Sequence, residues 1–430
     1  MLELLLIIFL ILVFVTYVLF DYDVMAPPFL FCAMYFFSLS CAFLNRLKWG
    51  IALSGETFII YLLGAMIFIG IGLLCKVTLY SDKNNITKVN IRRIDINPII
   101  TIVLVMLCAV TLYLWIKNVK DIAGPSTSFS NMMEKYRGKT SYSFEDAMPG
   151  YVQQLAKIVL ASAYIYAFTM VNNYMSKNIK KIDLLNFLPI LLYVILSLYD
   201  SNRLNLLQLI ATIAIYFGIL WNLKNSTASG SIKFVFKLML VFALVLVSFY
   251  GIRLVVGRTI SKNVNFIDYI TVYAGGPVKL FDMFIRDPIH HTDLWGKETF
   301  ISLYNSLRKF DPDIPKYLVH KEFRMYNGID LGNVYSAYRE WYADFGMNGV
   351  VVLQIIFATF FNAFYFKLKS IGAYNKKFLL IIYGYMASAI LLHPIDDKFF
   401  TTMVSMGFIT ILIVFYVIYN ITLKKYRIIW

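Results

Sequence analysis

Charge is what this sequence has least of: 15% of its 430 residues are Asp, Glu, Lys or Arg, against 60% hydrophobic and 17% aromatic. A soluble domain is about a quarter charged and about half apolar, so the soluble classes are excluded. Cysteine is scarce too. Cys32, Cys41, Cys75 and Cys108 lie in or at the edge of apolar runs, with no pair at zinc-ligand spacing, and read as small buried hydrophobes rather than a metal or disulfide framework. There are four histidines. His290 and His291 have no ligand partners at useful spacing, so no metal site is expected. The phosphate-binding loop, the dinucleotide glycine fingerprint and the His-Glu-x-x-His helix are all missing, which excludes a nucleotide-driven engine or a zinc hydrolase of those types. Acids are fewer than bases, 25 against 40, giving a net charge of +15. In a soluble chain that excess suggests nucleic acid; in a membrane chain it marks the side on which basic loops are anchored.

What the sequence does have is long apolar runs. Windows of about 19 residues place spans near 2–20, 26–44, 57–75, 98–116, 152–173, 183–199, 204–222, 234–252, 346–366, 378–393 and 401–422. The fold class expected is an all-α polytopic membrane protein of about eleven helices, each close to the roughly 20 residues that cross a bilayer. Met1–Phe20 has no basic leader and no small-residue cleavage site before Asp21, and reads as a retained first helix. The organisation expected is a bundle of eight helices over 1–252 with an outside loop at 117–151, a large extracytoplasmic loop at 253–345, and three helices over 346–430. Assigning alternate connections to opposite sides separates the charge. One side holds 18 bases and five acids, a net +13, and the other 21 bases and 20 acids. The positive-inside rule then predicts the N-terminus outside and the C-terminus cytoplasmic.

The polar chemistry falls on the nearly neutral side, in connections too long to be turns. The loop from Arg253 to about Phe345 holds 11 of the 20 acids on that side. It opens with Arg253 and Arg258, and continues through an apolar stretch, Phe266 to Ile285, interrupted by Ala274-Gly275-Gly276-Pro277. That stretch predicts interfacial helices broken at the Gly-Gly-Pro turn. It ends in Asn333-Val-Tyr-Ser-Ala-Tyr-Arg-Glu-Trp-Tyr-Ala-Asp-Phe-Gly346. At helical spacing Tyr335, Tyr338, Arg339 and Tyr342 share a side, with Asp344 one turn after Glu340. Two readings stand: an aromatic belt with a snorkelling arginine, or a sugar platform of Tyr335, Tyr338 and Tyr342 with Asn333 reading hydroxyls. Arg203, in the short outside hairpin after Asp200, joins Arg253, Arg258 and Arg339 near one membrane level. A planar guanidinium fork suits pyrophosphate oxygens, though Arg203 also reads as a surface partner of Asp200. Lys157 either snorkels or faces the same cavity. His393, Asp396 and Asp397 supply a base or solvate a turn.

At these residues the chain resembles the bacterial oligosaccharide repeat-unit polymerases, the O-antigen or capsule polymerase (Wzy) family. The resemblance rests on Arg253 to Arg258, on Tyr273-Ala-Gly-Gly276 and on the Asn333 to Gly346 box. About forty residues carry it, while the helical plan covers the whole chain. Departures from the family pattern are Ser336 for Thr, Tyr338 for Phe, Ala343 where an acid is common and Glu340 where proline is common. The resemblance implies a GT-C-like glycosyltransferase of the bacterial inner membrane, acting in lipopolysaccharide or capsule biosynthesis. It would move a growing glycan from undecaprenyl pyrophosphate to a new lipid-linked repeat unit, with inversion and without metal or cofactor. Arg203, Arg253, Arg258 and Arg339 would clamp the pyrophosphate, and Asp344, Glu340 or His393 would be the base. Donor and acceptor glycolipids are the partners implied, with a chain-length regulator and a flippase as accessories, and no nucleic acid. An O-antigen ligase shares the loop and the donor. A flippase is the transporter alternative, but the sequence has no two-half symmetry of the kind many transporters show.

Overall fold

A computed structural model describes residues 1–80, 89–142, 147–200, 202–225, 265–289, 294–315, 321–370 and 373–424, with scattered positions in 236–251; the side chains of 141, 142, 203, 225 and 373 are not described. The helices are α1 (Leu2–Leu19), α2 (Pro27–Leu44), α3 (Gly55–Leu79), α4 (Pro98–Ala123), α5 (Phe129–Arg137), α6 (Gly150–Met175), α7 (Leu188–Tyr199), α8 (Arg203–Asn225), α9 (Phe266–Arg286), α10 (Ile301–Leu307), α11 (Tyr338–Ser370), α12 (Lys377–Leu392) and α13 (Met406–Leu423). A two-stranded hairpin, β1 (Arg324–Tyr326) and β2 (Ile329–Gly332), is the only sheet among the described residues. Among the described residues, ten helical segments are long and apolar enough to cross a membrane. They match ten of the eleven expected spans; the eleventh, 234–252, lies largely outside the described residues.

Local chemistry sets the helix starts. Ser54, Ser128 and Ser405 accept hydrogen bonds from the N–H groups of Thr57, Asn131 and Phe408, and Asn97 caps α4 ahead of Pro98. Helix α11 begins eight residues before the expected 346 and changes direction at Gly346, whose φ of 62° and ψ of −157° are non-helical. Its first turns therefore lie at an angle to the spanning part.

The apolar stretch in the large loop folds differently from expectation. Phe266–Arg286 is one helix with Pro277 inside it, not two broken at Gly-Gly-Pro. Two features of the neighbouring α2 make this stable. A Cβ on Gly275 would stand 2.4 Å from the Ala42 backbone nitrogen, so glycine lets the two backbones touch. Next to the gap left by the missing proline N–H, Ser38 Oγ donates to the Ala274 carbonyl at 2.6 Å.

Polar contacts sort the bundle into two ends. At one, Asp23 accepts from Tyr365 Oη at 2.6 Å, Lys369 Nζ at 2.7 Å and Asn222 Nδ2 at 2.8 Å, while Arg93 forks onto Asp183 at 2.7 and 2.9 Å. Lys76 pairs with Asp21 at the same end. The charged residues among these, Asp21, Asp23, Lys76, Arg93, Asp183 and Lys369, all belong to the set that alternation assigns to the basic side. At the opposite end Arg46 pairs with Glu3 and Lys48 with Asp268, and the connections after α9 and α12 cover the bundle.

Candidate functional site: a buried charged layer

The Asn333–Gly346 segment lies at the centre of this second end. Upstream of it, β1 and β2 turn through Asn327 and Gly328, both with positive φ, the chemistry a tight two-residue hairpin loop requires. The hairpin holds the preceding Lys321 and Glu322 against α11. Asn333 Nδ2 donates to the Lys321 carbonyl at 3.4 Å, Tyr335 Oη to the Glu322 carbonyl at 3.2 Å, and the Ala337 N–H to the His393 carbonyl at 3.0 Å.

Arg339 is fully buried. Its guanidinium pairs with Glu298 and with Glu322, the latter at 2.7 Å, and lies 4.5 Å from the Phe284 ring centroid. Glu340, also buried, pairs with Lys321. Lys321 reaches Asp396 at 3.4 Å, and Asp396 pairs with Lys398 at 2.8 Å. Burial disfavours the Lys321 charge, but Glu340 and Asp396 hold its ammonium above the usual lysine range. Burial also opposes the Asp396 charge, yet Lys398 and Lys321 bring its carboxyl down to about 2. Beside it, Asp397 accepts from Trp341 Nε1 at 2.8 Å and from the N–H groups of Phe399 and Phe400 at 2.9 and 3.0 Å. Burial and the charge of Glu340 push that carboxyl up to about 7 despite these donors. Asp344 is half-buried and accepts from the Thr299 N–H at 2.7 Å and the Glu298 N–H at 3.3 Å. The result is a layer of alternating charges spanning the loop before α10, the hairpin, α11 and the 393–398 turn.

Several expected roles change. Tyr335 and Tyr338 offer no accessible face: both are fully buried, and Tyr338 packs edge-on against Trp341 and His393, with ring centroids 5.5 and 4.9 Å away. They form the wall of the core, not a sugar platform, because apolar rings from α2, α3 and α9 close over them. Tyr335 also precedes the helix, so it does not share a helical side with Tyr342. Tyr342 and Asn333 remain half-buried, with Tyr342 Oη donating to Glu56 at 2.6 Å. The charge of Arg339 is already met by two glutamates, so as a pyrophosphate clamp it would first have to lose them. His393 is a poor base. It is buried among Phe31, Tyr338, Trp341 and Phe357 with Nδ1 2.7 Å from Tyr35 Oη, and burial pushes it down to about 3. Lys157 makes its hydrogen bond to Thr410 on α13 rather than to this layer. Arg253, Arg258 and the Arg203 side chain lie outside the described residues, as do His290 and His291.

Glu298, Lys321, Glu322 and Arg324 were not anticipated. The Asn327-Gly328 pair between short β-prone runs was a readable hairpin signal and would have brought the 321–324 charges next to the box. No family model, curated protein or solved structure matches this chain.

Proposed function

We propose that this chain is a membrane glycosyltransferase that polymerises lipid-linked oligosaccharide repeat units, as the O-antigen and capsule polymerases do. The observation that carries the reading is the position of the box resembling theirs: its Arg339, Glu340, Trp341 and Asp344 are the centre of the charged layer at the acid-balanced end. In this reading the fold is GT-C-like, the acid-balanced end faces outward, and the basic end is cytoplasmic.

The chemistry needs no more than positioning and charge. The bond from the anomeric carbon to the pyrophosphate oxygen breaks, a bond to the acceptor hydroxyl oxygen forms, and the hydroxyl proton passes to a carboxylate. Among the candidate bases, Asp344 is assigned the proton because it is half-buried while Glu340 is enclosed and ion-paired. Arg339 is a positioning residue: through Glu298 and Glu322 it ties two loop segments to α11. Arg203, Arg253 and Arg258 are left as the pyrophosphate clamp. The purified chain, given undecaprenyl-pyrophosphate-linked repeat units without nucleotide, is expected to produce a ladder of glycan lengths. Asp344→Asn should stop the ladder while leaving the folded protein intact. A wild-type protein that yields no product longer than one repeat unit overturns the reading.

A further inference from the structure

Burial of Tyr335 and Tyr338 takes away the aromatic faces expected to receive a sugar, yet one large ring beside the charged layer is open. Trp295 is 73% exposed, and two sets of contacts hold it next to Asp344. Its ring centroid lies 5.0 Å from that of Phe345, the residue after Asp344, and 6.5 Å from that of Phe300 with the planes 26° apart. Along the backbone, Trp295 comes three and four residues before the Glu298 and Thr299 N–H groups that donate to Asp344. Three residues reach at most about 11 Å when fully extended, and this loop is turned. The Lys297 N–H donates to the Leu294 carbonyl at 3.4 Å and the Phe300 N–H to the Gly296 carbonyl at 2.9 Å.

The heading of the indole is fixed as well as its place. Tyr304 Oη on α10 donates to the Trp295 carbonyl at 2.6 Å. Gly296 has a φ of 66°, and a Cβ there would stand 3.0 Å from both the Phe300 and Phe345 rings, so glycine lets the chain bend Trp295 onto them. A ring that only anchors the membrane boundary needs the right depth and no particular heading. This one is tied, through two N–H groups, to the carboxylate assigned the acceptor's proton.

We propose that Trp295 is the stacking platform for the acceptor sugar of the incoming repeat unit. The C–H face of a pyranose lies on the open face of the indole, drawn by the negative face of the ring, and a hydroxyl at the sugar's edge is presented to Asp344. The platform rests on the polymerase reading and on Asp344 as its base. It selects a sugar with a face of C–H groups uninterrupted by axial hydroxyls.

The rate of ladder growth, measured against the concentration of undecaprenyl-pyrophosphate-linked repeat unit, tests this. Trp295→Ala is expected to raise the apparent KM about tenfold, the size of one aromatic contact, and to change kcat by less than about twofold, as loss of ground-state binding does. Trp295→Tyr keeps a stacking face and should stay within about threefold of the wild type. Phe310→Ala removes another exposed ring of the outer end, 77% exposed, and should leave KM as it is. An unchanged KM in Trp295→Ala, or an equal rise in Phe310→Ala, overturns the proposal and makes Trp295 a boundary anchor. A second readout needs no turnover: the oligosaccharide released from the lipid by mild acid should alter the tryptophan emission of the wild type and not that of Trp295→Phe. Ladder formation without that difference overturns the platform and leaves the reaction standing. A response at Trp295 without any ladder supports the platform as a glycan site and overturns the reaction.

Discussion

Burying Arg339 costs several kcal/mol in lost hydration, so its partners determine whether the outer end is stable. Glu298 and Glu322 supply opposite charge, and Phe284 and Tyr335 supply ring faces. Removing the guanidinium takes the counter-ion from Glu298 and leaves Glu322 with Arg324 alone, 3.8 Å away. Arg339→Ala is therefore expected to destabilise the protein by about 3–5 kcal/mol, read as a fall in the thermal midpoint in detergent. Adding Glu298→Gln and Glu322→Gln should recover part of the loss. An unchanged midpoint in Arg339→Ala would show that the pairs contribute nothing. Asp397 gives a second prediction at this scale. Its carboxyl is raised from 3.8 to about 7, so between those values the folded chain keeps a proton that the unfolded chain has released. The associated stability is complete below pH 3.8 and is lost as pH rises through about 7. Asp396 has the opposite sign: its contribution is present above 3.8 and lost as pH falls towards about 2. The midpoint of Asp397→Asn should vary less with pH across 3.8 to 7 than that of the wild type. Equal slopes would remove Asp397 as the titrating group. The sequence placed Asp397 in an outside turn beside two other polar residues. The backbone N–H groups of Phe399 and Phe400 that it accepts from are local, but that Trp341 also converges on it depends on a contact across more than fifty residues, which local patterning does not encode.

Apolar run length was enough to place ten spanning segments, because a bilayer tests each one separately for length and polarity. Helix α9 is different, since its form depends on a neighbour. Read locally, Gly275-Gly276-Pro277 is a break; packed on α2, the glycine removes the obstacle to close approach and Ser38 supports a carbonyl beside the proline. The two glycines should therefore respond differently to alanine. Gly275→Ala drives a methyl into the Cys41–Ala42 backbone and is expected to cost about 1–3 kcal/mol as overpacking. At Gly276 the nearest atom to an added Cβ is the Leu331 carbonyl oxygen at 3.7 Å. There alanine should be neutral or stabilise by up to about 1 kcal/mol through helix propensity. Thermal midpoints of the two variants in one detergent decide the matter, and equal effects would mean that α9 does not rest on α2 through Gly275.

Across the whole molecule, alternation of connections predicted which charges share an end. The contacts of Asp23 with Lys369 and of Arg93 with Asp183 join residues far apart in sequence at the basic end, while Glu3 with Arg46 and Lys321 with Asp396 join others at the second. Sidedness was legible because chain direction reverses at each span, so the parity of a loop fixes its end. The inward assignment of the basic end comes from charge asymmetry alone, and two exposed positions provide a test. Leu47, after α2, is 87% exposed at the acid-balanced end, and Ile179, after α6, is 63% exposed at the basic end. The four native cysteines are buried, so they should give little background with a thiol reagent. In intact spheroplasts a membrane-impermeant maleimide is expected to label Leu47→Cys and to spare Ile179→Cys until the membrane is permeabilised. The reverse pattern would place the charged layer in the cytoplasm, away from any glycan donor exported to the outer leaflet. It would therefore remove the polymerase reading along with the orientation, while leaving the packing of the two ends unchanged.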